Sequence, residues 1–183
     1  MTVESWEIDP AHTEVGFTAR HMVVAKVRGQ FSRFSGRVSL NKTDDTPVSA
    51  EVKIETASID TNMKDRDNHL RSPDFFDADN HPAITFRSKK VESAGKNRYK
   101  VVGDLTIRGT TREVTLDTEY LGHTKDPFGT ERVAFSASTS IDRKDFGLVW
   151  NKITETGGVL VSDRIDIHLE VTGFNPSAQV QAA

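Results

Sequence analysis

Apolar and polar side chains alternate with a period of two through most of this chain, which sets every second residue on one face of a strand. In REVTLDTEYLG, Val114, Leu116, Thr118 and Tyr120 face one way, and Glu113, Thr115, Asp117 and Glu119 face the other. In RYKVVGDLTIRG, Tyr99, Val101, Gly103, Leu105 and Ile107 share a face. In SDRIDIHLEVTG the apolar set is Ile165, Ile167, Leu169 and Val171. Related patterns cover Val15 to His21, Phe31 to Leu40, Ala50 to Ser58, Ala83 to Val91 and Val133 to Ile141, separated by turn signals such as SAGKN, RGTT and KDPFGT. Roughly eight half-wet antiparallel strands follow, so the class is all-β.

One segment departs from this rhythm. Between Asn62 and Arg71 the acids fall early, Arg71 falls late, and Met63 and Leu70 share a stripe. This predicts a short helix capped by Thr61 or Asn62 and ended by Pro73. An exposed Asp67–Arg71 pair, four residues apart with the acid first, accounts for its charges without invoking function. Residues 1–174 read as a single domain, and 175–183, NPSAQVQAA, as a tail too poor in apolar residues to pack.

The strands look tall. The run from Gly158 to Gly173 spans roughly 50 Å at ~3.3 Å per residue. Several inward positions are small: Ala19, Gly36, Gly103, Thr118, Ala137 and Thr139. Tall walls with small inward residues point to a hollow barrel that takes a slim apolar guest. Alternatively, Phe17, Phe31, Phe34, Phe86 and Phe135 fill the same space in an ordinary core. The pattern alone leaves both open.

Composition narrows the function. With 24 basic and 27 acidic residues, a net charge of −3 and no basic run, the chain is no nucleic-acid binder. The absence of cysteine excludes disulfides, thiolate metal sites and thiol nucleophiles. No stretch has ~18 consecutive apolar residues, and MTVESWEIDP lacks the basic and apolar regions of an export signal, which predicts a cytoplasmic protein with no stable membrane insertion. Hydrolase-elbow, phosphate-loop, dinucleotide and zincin motifs are all missing. DADNHPAITFRS starts like a calcium loop but puts Pro82 at the glycine position and Ser88 at that of the bidentate glutamate. The histidines at 12, 21, 69, 81, 123 and 168 show no metal-ligand spacing, so no metal or cofactor is expected.

The segments WEIDPAHTEVGFTARH, GQFSRFSGRV, SIDTNMKDRDNHLRSPDFFD, HPAITFRS, VVGDLTIRGTTREVTL and ASTSIDRKDFGL together resemble the YceI family of bacterial, lipocalin-like polyisoprenoid-binding proteins. The resemblance runs from Trp6 to about Gly173, with Thr13 where the family often has serine. It implies an extended eight-stranded antiparallel barrel with a helix near one end, holding a polyisoprenoid, prenyl diphosphate, quinone or fatty-acid derivative. Many relatives are periplasmic, and family members often pair, so a homodimer is possible.

Inward positions on successive strands nominate Phe17, Ala19, Phe31, Phe34, Ile54, Ile84, Phe86, Leu105, Ile107, Leu116, Phe135 and Ile141 as the walls of the bore. Phe75, Phe76, Phe146 and Trp150 are nominated as caps. An extended backbone would turn only one of Phe75 and Phe76 toward the mouth. His21 closes the series Val15, Phe17, Ala19 and should point inward near one end. Together with Arg66, His69 and Arg71 it could meet a polar head group. Two other readings stand beside the carrier: an enzyme with His21 as base, oriented by Asp67 or Asp145, and a filled, partner-binding barrel.

Overall fold

The computed structural model describes residues 2–22, 24–152 and 160–176. Eleven strand segments alternate along the chain: β1 (Val3–Ile8), β2 (Glu14–His21), β3 (Ala25–Phe31), β4 (Phe34–Asn41), β5 (Pro47–Glu55), β6 (Ile59–Asp60), β7 (Ala83–Ser93), β8 (Arg98–Ile107), β9 (Thr110–Lys125), β10 (Glu131–Asp142) and β11 (Arg164–Phe174). The helix α1 (Lys64–Arg71) lies between β6 and β7.

These segments make the eight walls of a closed antiparallel barrel, because three walls are each built from two segments. β1 and β2 form one wall broken at Pro10–His12, β3 and β4 a second, and β5 and β6 a third. β1 pairs with β4 while β2 pairs with β3, so the first two walls run side by side along their whole length. From β5 the ladder continues through β7, β8, β9 and β10 to β11, which closes the barrel by pairing with both β1 and β2. The alternation located β2 but not β1 or most of β3. The wall count still holds, since the segments it passed over are halves of walls already counted.

The seam at β11 shows why the break at Pro10–His12 is tolerated. β1 contributes only Glu7↔Phe174 and Ile8↔Gly173 to it, and β2 resumes at Glu14↔Glu170. Between them the Thr13 hydroxyl accepts from the Thr172 amide at 3.0 Å and donates to the Thr172 carbonyl at 3.3 Å, replacing lost ladder bonds. Asp9, whose carboxylate accepts from the Ala11 amide, fixes the turn and also bonds Arg132.

Strand phase changes at bulges. In β7, Ser88 faces Gly103 and Lys90 faces Val102, so Lys89 is an extra residue and the inward set passes from Ile84 and Phe86 to Val91. β11 begins at Arg164, so it is shorter than the run from Gly158; residues 158 and 159 lie outside the described residues. The Ser162 hydroxyl donates to the Arg164 carbonyl and accepts from the Arg20 amide, which turns the chain just ahead of the strand. Eleven residues give about 36 Å along the strand, or about 28 Å of barrel height at a tilt near 40°.

The helix differs from its sequence reading in two details. Its N-cap is Met63, without a side-chain cap bond. Asp67 is buried and reaches back to accept from the Thr61 amide at 2.9 Å and hydroxyl at 2.5 Å. It therefore makes no surface pair with Arg71, which donates instead to the Ala57 and Ile59 carbonyls and ties α1 to β6. At the chain's end, Asn175 is buried, so the packed body extends at least one residue past 174; residues 177–183 lie outside the described residues.

Candidate ligand-binding site

A single run of inward faces encloses an apolar cavity of about 250 Å³. All eight walls contribute, with Ile165, Ile167, Leu169 and Val171 of β11 and Val114, Leu116 and Thr118 of β9 supplying long stretches. Many side chains that point inward, among them Phe17, Phe34, Ile54, Leu116 and Leu169, are only partly buried. They pack against their neighbours along the wall and also border open lumen, so the barrel is hollow.

Glycine placement keeps it open. A methyl group on Gly29 would come within 2.3 Å of the Phe17 ring, and one on Gly103 within 2.6 Å of the Phe86 ring. The tip of each ring leans over a glycine on the neighbouring strand, so the bulk of phenylalanine is carried along the wall and not across the bore. At Gly36 a methyl group would come within 2.3 Å of the Glu51 carbonyl and 2.9 Å of the Ile8 side chain, so the neighbouring strand's backbone and Ile8 take that space. Of the small inward positions noted in the sequence, Gly36 and Gly103 are therefore filled by neighbours, whereas Ala19, Thr118, Ala137 and Thr139 border the cavity itself.

The two ends differ. Trp6, Leu40, Val133 and Phe135 form a separate buried cluster at the end where β10 begins. Beyond it, Asp45 at the tip of the β4–β5 turn accepts from the Tyr120 hydroxyl at 2.8 Å and pairs with His123 Nδ1 at 2.8 Å. Burial and the bond to Asp45 hold the Tyr120 hydroxyl well above its usual range, so it stays a donor. This end is floored by packing and a hydrogen-bonded clasp.

At the other end lie α1 and the turns after it. Phe75 and Phe76 both reach the cavity, contrary to the extended reading. The backbone is coiled there, with the Phe76 amide donating to the Leu70 carbonyl and the Ala78 amide to the Arg71 carbonyl, so adjacent rings need not diverge. Phe76 meets Phe31 edge-on at 6.0 Å. Behind Phe75 stand His69 and Trp150, at ring distances of 5.1 and 5.3 Å. Phe146 is 2 % exposed on the cavity wall, on a turn closed by Gly147 in the left-handed region.

Arg143 also borders this end and is 3 % exposed. Its guanidinium donates to the carbonyls of Leu148 (2.6 Å), Trp150 (2.9 Å), Ser162 (2.9 Å) and Val161 (3.4 Å). Burial lowers its pKa, against the nearby charges of Asp163 and Asp142. The fork is directed at backbone, and it fastens the Leu148–Trp150 stretch to the approach to β11.

Residues 6–173 match the model of the YceI-like domain. The chain belongs to the YceI-like family. It is 37 % identical over 161 residues to a UPF0312 protein of Staphylococcus epidermidis, covering 87 % of this chain and 91 % of that one. A UPF0312 protein of Vibrio cholerae is 35 % identical over 138 residues, covering 75 % of this chain and 73 % of the other. Among solved structures, Burkholderia cenocepacia BcnA aligns with a TM-score of 0.78 at 26 % identity, covering 90 % of this chain and 98 % of that one. The Campylobacter jejuni YCEI protein aligns with a TM-score of 0.73 at 32 % identity, covering 85 % and 88 %.

Within this YceI-like barrel, all twelve side chains nominated for the bore border the cavity, as do Phe75, Phe76 and Phe146. Trp150 does not; it is half-buried and packs on the outer side of Phe75 and against His69. The four polar nominees also stand away from the cavity wall. Arg66 donates to the Thr61 hydroxyl and carbonyl, both at 2.7 Å, and Arg71 is taken up by the Ala57 and Ile59 carbonyls. His69 bonds Asp74 at 2.9 Å. His21 keeps the phase of Phe17 and Ala19 but sits at the strand's last residue, half-buried, beyond the cavity wall. Among the described residues its ring has no carboxylate within hydrogen-bond or ion-pair distance. The orienting group that a general base would need is not supplied by Asp67 or Asp145.

Sequence reasoning missed Arg143 and Thr13. Arg143 sits in IDRKDFGL among charged neighbours and reads as surface; nothing in its spacing shows the four carbonyls that gather round it. Thr13 reads as a loop hydroxyl unless the break in the seam is known. Among the described residues no set of three His, Asp or Glu side chains gathers as for a metal ion, and no helix is long and apolar enough to cross a membrane.

Proposed function

We propose that the protein binds a long-chain apolar molecule, a polyisoprenoid, prenyl diphosphate, isoprenoid quinone or fatty-acid derivative, in the barrel bore, and carries or stores it without changing it chemically. The observation that carries this reading is the continuous, almost wholly apolar wall around an open lumen. An engineered apolar cavity of about 150 Å³ stays dry and takes up benzene; a larger apolar cavity here favours an apolar guest over water. Each buried methylene contributes about 0.8 kcal/mol, so a chain is held without any hydrogen bond. The height of the barrel suits an elongated guest better than a compact one. A fold neighbour from Saccharophagus degradans is described as a polyisoprenoid-binding domain; at 14 % identity it shares the fold, and the argument for a ligand rests on the bore.

Native mass spectrometry of freshly purified protein, followed by organic extraction, tests the proposal. A stoichiometric prenyl lipid, quinone or fatty derivative is the expected result. Protein that is empty, and stays empty when offered polyprenyl compounds, overturns it.

A further inference from the structure

The β2–β3 hairpin projects past the end of the bore capped by α1. Its root is fixed there: the Met22 amide donates to the Leu160 carbonyl at 2.9 Å, and His21 bridges to Val161, a residue of the cavity wall. At its tip, Met22 is 51 % and Val24 81 % exposed. Just behind the tip, Arg20 and Lys26 stand directly opposite each other in the ladder, with Arg28 next along the same outer face, opposite Thr18. All three are exposed, and none has a carboxylate within ion-pair distance among the described residues. The acid nearest in effect is Asp166, which feels Arg20 but is engaged by Arg164 and Ser140.

Two like charges directly opposite on antiparallel strands destabilise the hairpin that carries them. In a chain of net charge −3, whose other surface cations are often paired across strands (Lys100 with Asp117, Arg33 with Glu55), this cluster needs a reason outside the fold. Lysine on the edge of a sheet also blocks unwanted strand pairing, and β3 is such an edge, since only Gln30 and Phe31 pair with β6. Edge protection does not explain Arg20, which lies on the inner strand, or two large apolar side chains held out at the tip. An apolar tip backed by cations that no described carboxylate pairs fits one kind of partner: the surface of a bilayer with anionic lipids, into whose interface the tip dips while the cations meet head groups.

We propose that this hairpin is a membrane-docking element, which presents the adjoining end of the bore to an anionic bilayer. The proposal extends the carrier reading, but its test does not depend on it. Full-length protein is sedimented with vesicles of phosphatidylcholine alone, or of phosphatidylcholine with a third phosphatidylglycerol, at low and high salt. Binding to the anionic vesicles that weakens with salt is expected. The double variant Lys26→Gln/Arg28→Gln should bind about 30-fold more weakly, taking about one elementary contribution per cation, and Met22→Ser/Val24→Ser should also fall. Phe128→Ser, at an 86 % exposed site on the β9–β10 turn at the far end, should bind as the parent does and controls for general stickiness. Melting curves establish that each variant is folded. Parent protein that ignores anionic vesicles, hairpin variants that bind as well as the parent, or a Phe128→Ser variant that loses as much, overturns the proposal. Uptake of a soluble hydrophobic probe is measured in parallel, so a failure of docking is distinguishable from a failure of the bore to bind.

Discussion

Ala137 offers a test of hollowness in which the sign of the answer matters more than its size. It lies on β10, opposite Thr118 on β9 and Leu169 on β11, with its methyl group on the cavity wall. Ala137→Leu adds three carbons pointing into about 250 Å³, space equal to roughly eight water molecules at ~30 Å³ each. If the lumen is open, these carbons are buried against Leu169 and the facing wall without displacing anything. At ~0.8 kcal/mol per methylene the ceiling is about 2.4 kcal/mol of added stability, and side-chain ordering reduces it to about 1.5 to 2 kcal/mol. For a chain of this length that is a rise in melting temperature of about 3 to 8 °C. If the bore were already filled, the same substitution would overpack it and cost about 1 to 3 kcal/mol, a fall of similar size. The assay is differential scanning calorimetry of delipidated parent and variant, with titration of a long-chain fluorescent probe into each. A higher melting temperature with weaker probe binding is expected. A lower melting temperature in the delipidated variant refutes the reasoning, because it means that Ala137 already touches something across the lumen.

Thr13→Val strips the hydroxyl that serves both polar groups of Thr172 and should cost about 1 to 3 kcal/mol by urea denaturation, whereas Thr13→Ser should stay within about 0.5 kcal/mol; equal losses would show that the hydroxyl does not hold the seam. Arg143→Met takes the guanidinium from the Leu148, Trp150 and Ser162 carbonyls, while Val161 keeps the Asn151 amide, and a loss of 3 kcal/mol or more is expected on the same assay, with Arg143→Lys only partly restoring it because an ammonium cannot span the fork; a variant as stable as the parent would remove Arg143 as a clamp. For Asp9, burial raises the pKa but is outweighed by bonds from His12, Arg132 and Ala11, so its folded value lies below the ordinary one, and Asp126 is likewise lowered, by bonds from Thr130 and Arg132. A depressed carboxylate contributes stability that is complete above the unfolded value near 4 and is lost as pH falls through the folded value. Arg132→Met should therefore flatten the decline in stability below about pH 4, and an unchanged acid limb would show that the cluster plays no part in it.

The walls were legible because alternation depends only on which face is wet, and this barrel has one wet and one apolar face at nearly every rung. Leu116, Ile167 and their neighbours could be assigned inward from pattern alone. Height was less legible: it depends on where Ser162 turns the chain ahead of β11, which leaves no periodic trace. The polar nominees near the cap illustrate a further limit. Arg66, His69 and Arg71 are all placed by local bonds, to Thr61, Asp74 and the Ala57 and Ile59 carbonyls, and a pattern of charges cannot tell a side chain free to meet a ligand from one already engaged. Phe75 and Phe76 show the reverse case, where a coiled backbone let both rings do what an extended one would have allowed to one.

The rings that lean over Gly29 and Gly103 have a bearing on selectivity. A lumen whose sides offer almost no donor or acceptor cannot read functional groups along a guest; it can only measure. The clearance left where phenylalanine lies against glycine admits a slender chain, methyl-branched or straight, and the floor at Trp6 sets a stop. What distinguishes one slender guest from another is then its reach, each further methylene adding about the same increment until the chain runs out of barrel. Such a protein behaves as a ruler, and compounds with quite different heads but tails of matching length should compete for it on nearly equal terms.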